Sequence, residues 1–288
     1  MVRIRHTLLA LAFPIAAAVI AVLVAGWELS RPVPAVVGSA PSELGATAVT
    51  FKSASGSLIH GWLSRGWGRG AVLLLPGVRA NRLSMVDRAQ WLRTAGYSVL
   101  LIDFEGTGES PGSAITFGWR ERLDVQAAVQ FIKSHISHEP IGVIGSSLGG
   151  AATILAGPML GIQGAVLEAV YPAIDKAVDN RMRMRLGAMG EWLSPLLLWQ
   201  LQPGLGVSPE DLRPIDRIEE VRYPVLIVGG TRDAYTTPDD TRQLFAAAKD
   251  PKELWLIEGA AHQDFARAVP DAYRERILAF FARTLRSR

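Results

Sequence analysis

The sequence predicts an α/β fold, in which helices cover both faces of a mostly parallel sheet. Three observations support this prediction. Short apolar runs alternate with helical segments from about residue 71 to the end of the chain. Most of these runs are apolar throughout, as strands buried on both faces are. A Gly-x-Ser-x-Gly motif at residues 145–149 lies between one such run and a helical segment.

Taken in order, the chain divides into a membrane anchor at residues 1–30, a linker at residues 31–46 and an α/β domain at residues 47–288. The linker is predicted from three prolines among small residues. An antiparallel hairpin is predicted at residues 48–63, around a Ser-Gly-Ser turn. The later predicted strands are residues 71–75, 98–104, 141–144, 165–169, 224–228 and 253–257. The predicted helices are residues 82–94, 118–134, 148–156, 238–248 and 270–284.

The N-terminal segment predicts a single membrane-spanning helix. Residues 8–25 carry no charge, and as a helix they would extend about 27 Å, close to the thickness of a bilayer core. Arg3 and Arg5 precede the segment, which predicts a cytoplasmic N-terminus and a catalytic domain on the non-cytoplasmic side. Small residues at 38–40 leave a cleaved signal and a secreted protein as the alternative, and a buried helix is the third.

Composition is that of one enzyme-sized domain. The 288 residues are 49% hydrophobic, and 30 basic against 27 acidic residues give a net charge of +3. This small and dispersed charge predicts no nucleic-acid partner. The chain has no cysteine, which excludes disulfides, a thiol nucleophile and a cysteine-based zinc site. Nothing in the sequence indicates a metal, a nucleotide or a flavin, so no cofactor is expected.

The motif at residues 145–149 makes Ser147 the candidate nucleophile. A strand before it and a helix after it are the context in which a serine hydroxyl is exposed on a sharp turn. Ser146 occupies the variable position of the motif. The alternative interpretation is an ordinary glycine-rich turn between a strand and a helix.

An acid and a histidine follow in the order serine, acid, histidine. Asp233 and His262 each come after a predicted strand, so both are expected at the same edge of the sheet as the serine. Glu168 is the reserve acid. Asp239 and Asp240 are expected instead in the first turn of a helix.

Five segments in the correct order resemble the α/β-hydrolase superfamily of serine hydrolases, nearest its dienelactone-hydrolase-like, serine-aminopeptidase-like and lipase-like groups. They are residues 73–78, 103–110, 145–149, the Gly-x-x-Asp stretch that ends at Asp233, and residues 259–262. The resemblance implies an eight-stranded, mostly parallel sheet with a small helical lid. One departure is Pro76-Gly77, where the family commonly has His-Gly.

The chemistry expected of these residues is nucleophilic acyl transfer. Ser147 needs His262 as general base, and Asp233 orients the imidazole and stabilises its protonated form. In this fold the oxyanion is bound by backbone N–H groups, here those of Leu148 and Val78.

The alternation of strands and helices lapses after residue 170, and residues 171–213 are the expected lid. Its apolar part makes Trp192, Leu197 and Trp199 candidates for contacting an apolar substrate group; the alternative is that they only pack on the domain. Three arginines at positions 181, 183 and 185 face acidic lipid or a charged substrate in one interpretation and water in the other.

The sequence thus predicts a membrane-anchored serine hydrolase that cleaves carboxylic esters, including lipid-like or acyl conjugates. Two alternatives on the same triad are a small-amide or peptide hydrolase and an acyltransferase. An alternative of another class is a non-catalytic binding protein, because one fold hosts both. The partners expected are a small ester or acyl substrate and, through the N-terminal helix, a membrane.

Overall fold

The computed structural model describes residues 16–17, 19–136, 138–262 and 264–286 of the chain. The strands in this part are β1 Val33–Pro34, β2 Thr47–Lys52, β3 Leu58–Ser64, β4 Ala71–Leu75, β5 Ser98–Ile102, β6 Thr107–Gly108, β7 Ile141–Ser146, β8 Gly164–Glu168, β9 Val225–Gly230 and β10 Lys252–Ile257.

Eight of these strands form one sheet in the order β10-β9-β8-β7-β4-β5-β3-β2. Strands β4, β5 and β7 to β10 run parallel, whereas β3 is antiparallel to both β5 and β2. The expected mostly parallel sheet is confirmed, and the predicted hairpin is the β2–β3 pair at its edge.

The helices lie between the strands. They are α1 (residues 19–30), α2 Val86–Thr94, α3 Glu121–His135, α4 Leu148–Leu155, α5 Ile174–Leu186, α6 Ser194–Trp199, α7 Leu201–Leu205, α8 Pro214–Ile218, α9 Pro238–Ala247, α10 Phe265–Ala268 and α11 Pro270–Thr284. Short 3₁₀ helices occur at Ser42–Leu44, Arg82–Met85, Pro158–Leu160, Gly187–Leu193 and Pro209–Leu212.

Two apolar layers cover the two faces of the sheet, because successive side chains of a strand point to opposite faces. Leu73 and Val143 belong to the layer that also contains buried residues of α3 and α4. Val72 and Ile144 belong to the layer that contains buried residues of α2 and α11. The central strands are therefore buried on both sides, which explains why their sequences are apolar throughout.

Half of the predicted membrane span at residues 8–25, namely residues 8–15 and 18, lies outside the described residues. Among the residues that the structure describes, no helix is long and apolar enough to cross a membrane. The described helix α1 packs on the α/β domain. Gln200 donates a hydrogen bond from Nε2 to the Val22 carbonyl oxygen at 3.3 Å, and the N–H of Ile115 donates to the Ser30 carbonyl oxygen at 2.7 Å.

The segment predicted as a linker, residues 31–46, is also bound to the domain. Strand β1 pairs in parallel with β6. The N–H groups of Val37 and Gly38 donate to Oε1 of Glu109 at 3.2 and 3.0 Å. The segment differs from a free spacer because its backbone finds hydrogen-bond partners along the rim of the sheet.

The region expected as a lid is helical over much of its length, from α5 through α7. It lies between β8 and β9, at the carboxyl ends of the strands. These ends form the rim on which the candidate site lies, as expected for an open parallel sheet.

Candidate active site

Ser147 occupies the sharp turn between β7 and α4. Its backbone has φ 48° and ψ −106°, a conformation that residues other than glycine rarely adopt. The Ser147 N–H donates to the carbonyl oxygen of Glu168 at 2.7 Å, so the neighbouring strand β8 holds the turn. Strain of this kind exposes the side chain at the rim, as expected for a serine in this motif.

The two glycines of the motif are required by close backbone packing. A Cβ atom on Gly145 would lie 2.6 Å from the carbonyl carbon of Gly149. A Cβ atom on Gly149 would lie 2.7 Å from Cβ of Leu75 in β4. The strand-to-helix crossing therefore leaves no room for a side chain at either position.

Asp233 and His262 are joined by a hydrogen bond. Nδ1 of His262 lies 2.8 Å from Oδ2 of Asp233, whose side chain is fully buried. The other carboxylate oxygen, Oδ1, accepts hydrogen bonds from the N–H groups of Tyr235 and Thr236 at 2.8 and 2.9 Å. Because both oxygens have partners, the carboxylate is fixed in orientation, and its Oδ2 accepts a hydrogen bond from the N–H group at Nδ1 of the imidazole.

Glu168, the reserve acid of the sequence analysis, lies elsewhere in the core. Its Oε2 accepts a hydrogen bond from Nη2 of Arg88 at 2.8 Å, and its Oε1 accepts one from the hydroxyl of Tyr273. Arg88 also pairs with Asp264 at 2.8 Å. Burial raises the pKa of Tyr273, which keeps its hydroxyl a donor. The structure therefore brings His262 to Asp233 and gives Glu168 a buried ion pair.

The two other aspartates considered as acids lie in the first turn of α9. Oδ2 of Asp240 accepts hydrogen bonds from the N–H and the hydroxyl of Thr237, which caps this helix. Asp239 pairs with Arg242 at 2.8 Å.

The loop after β4 lies beside the serine turn. A Cβ atom on Gly77 would lie 3.8 Å from Cβ of Ser147, and Val78 and Leu148 line the same pocket as the serine. Among the described residues, neither the Val78 N–H nor the Leu148 N–H has a backbone or side-chain acceptor. Both groups are thus available to a ligand in this pocket.

Helix α1 supports the same loop. Arg79 has a φ of 61°, and its Nη1 donates a hydrogen bond to the carbonyl oxygen of Glu28 at 2.6 Å. The N–H of Ala80 donates to the carbonyl oxygen of Gly77 at 3.2 Å. These contacts fix the loop in this chain, which has Pro76-Gly77 where the family commonly has His-Gly.

Ser147 and His262 line one pocket of about 100 Å³, which we call the serine pocket. Its other walls come from α1, the loop after β4 and α5, through Leu29, Val78 and Ala177 among others. Four predicted site residues line this pocket, and Asp233 is hydrogen-bonded to one of them, His262. The structure thus brings five predicted residues together: Val78, Ser147, Leu148, Asp233 and His262.

A second cavity, of about 410 Å³, lies between α1, α5 and the helices α6 and α7; we call it the apolar cavity. It shares five lining residues with the serine pocket, so the two are neighbours: Leu29, Phe117, Ile174, Ala177 and Arg181. Its volume falls within the roughly 300–1,000 Å³ of small-molecule sites.

Two of the three residues predicted to contact the substrate line a cavity, and the third does not. Leu197 and Trp199 line the apolar cavity. Trp192 does not line either cavity; its side chain is 86% exposed, in the 3₁₀ helix before α6. Trp192 therefore lies apart from both cavities, and its contact with a substrate stays a prediction.

Several lining residues have no signal in the sequence motifs. Leu29 belongs to the predicted anchor, and Phe117 follows the turn after β5. Tyr235 comes two residues after Asp233, and its ring centroid lies 5.2 Å from that of His262. Its spacing from the acid is the only local signal that could have identified it. Within the described residues, no group of three His, Asp or Glu side chains could hold a metal ion.

Comparison with known proteins agrees with the fold. Residues 58–276 match the alpha/beta hydrolase family, and the chain belongs to this family. Its fold and family are those of hydrolases.

Relatives and solved structures of this family are distant in sequence. The uncharacterized protein YfhR of Salmonella typhi is 25% identical over 273 residues, which cover 87% of this chain and 85% of that protein. The uncharacterized protein YqkD of Bacillus subtilis is 23% identical over 213 residues, covering 73% and 70%. The structure of the Pyrococcus furiosus esterase Pf2001 superposes with a TM-score of 0.74 at 23% identity, over 89% of this chain and 99% of that one.

Proposed function

We propose that the protein is a serine hydrolase that cleaves carboxylic esters through an acyl-enzyme on Ser147. The observation that carries the proposal is the 2.8 Å hydrogen bond between His262 and Asp233, with His262 lining the same pocket as Ser147. A metal is not needed for this chemistry, because histidine supplies the base and backbone N–H groups supply the oxyanion site.

In the first half-reaction, Oγ of Ser147 attacks the ester carbonyl carbon while Nε2 of His262 takes its proton. The negative oxygen of the tetrahedral intermediate accepts hydrogen bonds from the N–H groups of Val78 and Leu148. The ester C–O bond then breaks, and the imidazolium gives its proton to the departing alcohol. Asp233 stabilises the imidazolium through Nδ1 in this step.

In the second half-reaction, water attacks the acyl-enzyme. His262 takes a proton from the water as its oxygen bonds to the carbonyl carbon, and then returns a proton to Oγ of Ser147. The carboxylic acid leaves, and the free serine is restored.

The apolar cavity suits an apolar part of the substrate. Leu197 and Trp199 on the lid and Leu29 on α1 line it, beside the serine pocket. Burying a methylene group stabilises a bound state by about 0.8 kcal/mol, so a longer alkyl chain should bind more tightly until the cavity is filled.

A pair of adjacent serines tests the nucleophile. Ser147→Ala should lower kcat for p-nitrophenyl esters by about 10⁶-fold, whereas Ser146→Ala should keep most of the activity, because this side chain stands in the variable position of the motif. Thermal melting of both variants controls for folding. Activity of Ser147→Ala within tenfold of the native enzyme would contradict the proposal.

We also propose that residues 8–25 hold the protein in a membrane, with the hydrolase domain on the non-cytoplasmic side. The support is the uncharged stretch itself and the preceding Arg3 and Arg5. Residues 19–25 of this stretch form the first part of helix α1, which lines the apolar cavity further along through Trp27 and Leu29. An anchored chain would therefore keep the cavity close to the bilayer surface.

Fractionation of cells, followed by protease treatment after the outer envelope is stripped, tests this topology. The full-length chain should sediment with membranes and be digested from outside. A full-length chain in the soluble fraction, or one protected from external protease, would contradict it. A mature N-terminus near residue 41 would identify the segment as a cleaved signal instead.

A further inference from the structure

Two charged side chains line the serine pocket, and both are arginines. Arg79 lies on the loop after β4, and Arg181 lies on α5 of the lid. Arg181 also lines the apolar cavity, in which it is the charged residue. No aspartate or glutamate of the described residues lines either space, because Asp233 is fully buried behind His262.

These two arginines differ from the buried arginines elsewhere in the domain. Arg82 is paired with Asp103 and Glu109, and Arg88 is paired with Glu168 and Asp264. The polar contact of the Arg79 guanidinium is a backbone carbonyl, that of Glu28. Among the described residues, Arg181 has no carboxylate within 4 Å of its nitrogens.

The neighbours of Arg181 are aromatic and cationic. Its guanidinium lies over the ring of Tyr235, 4.9 Å from the centroid. Burial, with Arg185 nearby, lowers the pKa of Arg181, and the Tyr235 hydroxyl opposes this only in part. A half-buried guanidinium without a carboxylate is costly in the free protein, and a bound oxyanion would offset this cost.

We propose that Arg181, with Arg79 across the serine pocket, binds an oxyanion group of the substrate. The preferred esters would then carry a carboxylate or a phosphate as well as an apolar chain. The planar guanidinium suits both groups, since it donates two parallel hydrogen bonds to either. The proposal rests on the proposed ester hydrolysis and adds to it the charge of the substrate.

The test compares two esters that differ in one charge. One is the p-nitrophenyl monoester of suberic acid, with a free carboxylate at its far end. The other is the same molecule with that carboxylate replaced by a primary amide. Release of p-nitrophenol by the full-length enzyme gives kcat and KM for each, and the ratio of the two kcat/KM values is the readout.

The native enzyme should prefer the charged ester. Arg181→Gln should lower this preference about ten- to hundredfold, the range expected for one hydrogen bond to a charged group, mainly through KM. Arg181→Lys keeps the charge but loses the planar fork, so it should retain part of the preference. The preference should also weaken as ionic strength rises.

Arg183→Gln is the matched control. Arg183 lies on the same helix but pairs with Glu191 at 2.5 Å and is 60% exposed, and it does not line either cavity. The control should leave the preference unchanged. Inhibition by hexanoate, hexyl phosphate and hexanol shows which oxyanion Arg181 binds. Stronger inhibition by hexanoate identifies a carboxylate, and stronger inhibition by hexyl phosphate identifies a phosphate.

Two outcomes would overturn the inference. One is an equal loss of kcat/KM for the charged and the neutral ester in Arg181→Gln, which would mean that the arginine acts on ester hydrolysis in general. The other is inhibition by hexanol as strong as by the anions. A failure of the proposed ester hydrolysis would give a different result, because cleavage of both esters would then be absent or independent of Ser147.

Discussion

Replacing Asp233 by asparagine should remove most of the activity while leaving the fold intact. Oδ1 of Asp233 accepts two backbone hydrogen bonds, from Tyr235 and Thr236. An asparagine must keep its carbonyl oxygen at this position, so its NH₂ group faces Nδ1 of His262. That nitrogen then has to accept a hydrogen bond, and the proton moves to Nε2.

An imidazole protonated at Nε2 cannot take the proton of Ser147. We therefore expect kcat to fall about 10⁴-fold, which corresponds to roughly 5.5 kcal/mol of transition-state stabilisation. The side chain is close in size and keeps its backbone partners, so the melting temperature should change little. Steady-state hydrolysis of a p-nitrophenyl ester and thermal melting measure the two effects separately.

Glu168→Gln is the matched comparison and should behave in the opposite way. It removes one carboxylate from the buried Arg88 pair, which also includes Asp264. Because Asp264 remains, we expect the free energy of unfolding to fall by about 3 kcal/mol, the lower end of the range for a broken buried ion pair. At about 2–4 °C per kcal/mol, the melting temperature should fall by roughly 6–12 °C, with activity per folded molecule largely kept.

The comparison can refute the assignment of the acid. Asp233→Asn with activity within tenfold of the native enzyme, together with a large loss of kcat in folded Glu168→Gln, would place the acid after β8 instead of β9. A loss of melting temperature in Asp233→Asn that accounts for its lost activity would also contradict the reasoning.

Three further predictions concern the surroundings of the serine. Leu197→Asn with Trp199→Gln should lower kcat/KM for long-chain relative to short-chain p-nitrophenyl esters, since both residues line the apolar cavity; unchanged relative values would mean that they only pack the core. Deletion of residues 1–30 should lower kcat about 10²-fold, because α1 lines the apolar cavity and accepts the Arg79 hydrogen bond. Deletion of residues 1–15 leaves α1 in place and should not lower kcat. Equal activity of the two deletions would exclude a role of α1 in catalysis. Gly149→Ala should destabilise the fold by about 1–3 kcal/mol through its contact with β4, seen as a lower melting temperature, and an unchanged one would contradict the packing.

The sheet could be predicted from the sequence because its strands are buried on both faces and are apolar throughout. Strand β4 and helix α11 have the predicted bounds, residues 71–75 and 270–284. The order of the candidate residues could also be predicted, because the fold requires serine, acid and histidine in this order at the carboxyl ends of its strands, here β7, β9 and β10. The distance between Asp233 and His262 needed the structure, since 29 residues separate them.

The position of α1 could not be predicted from its sequence. An uncharged stretch fits a membrane span and a helix packed on a domain equally well. Strands β1 and β6 have two residues each and pair over more than 70 positions of sequence, so no local pattern indicates them. Residues 31–38 contact the rim through long-range hydrogen bonds, and composition alone does not predict such contacts.

The role of individual lid residues depends on helix phase. Ile174, Ala177 and Arg181 lie three and four residues apart, so they share one face of α5, and this face lines both cavities. Arg183 lies on another face and pairs with Glu191. The run of arginines in the sequence does not show which face meets the rim, because that follows from how the lid packs.

Covalent labelling with a fluorophosphonate tests whether Ser147 is an activated nucleophile. Native protein should gain the mass of one phosphonyl group, and peptide mapping should place it on Ser147, because an unactivated serine hydroxyl does not react. Ser146→Ala should label like the native protein and Ser147→Ala should not label. Labelling that persists in folded Ser147→Ala, or its absence from the folded native protein, would show that Ser147 is not the activated nucleophile.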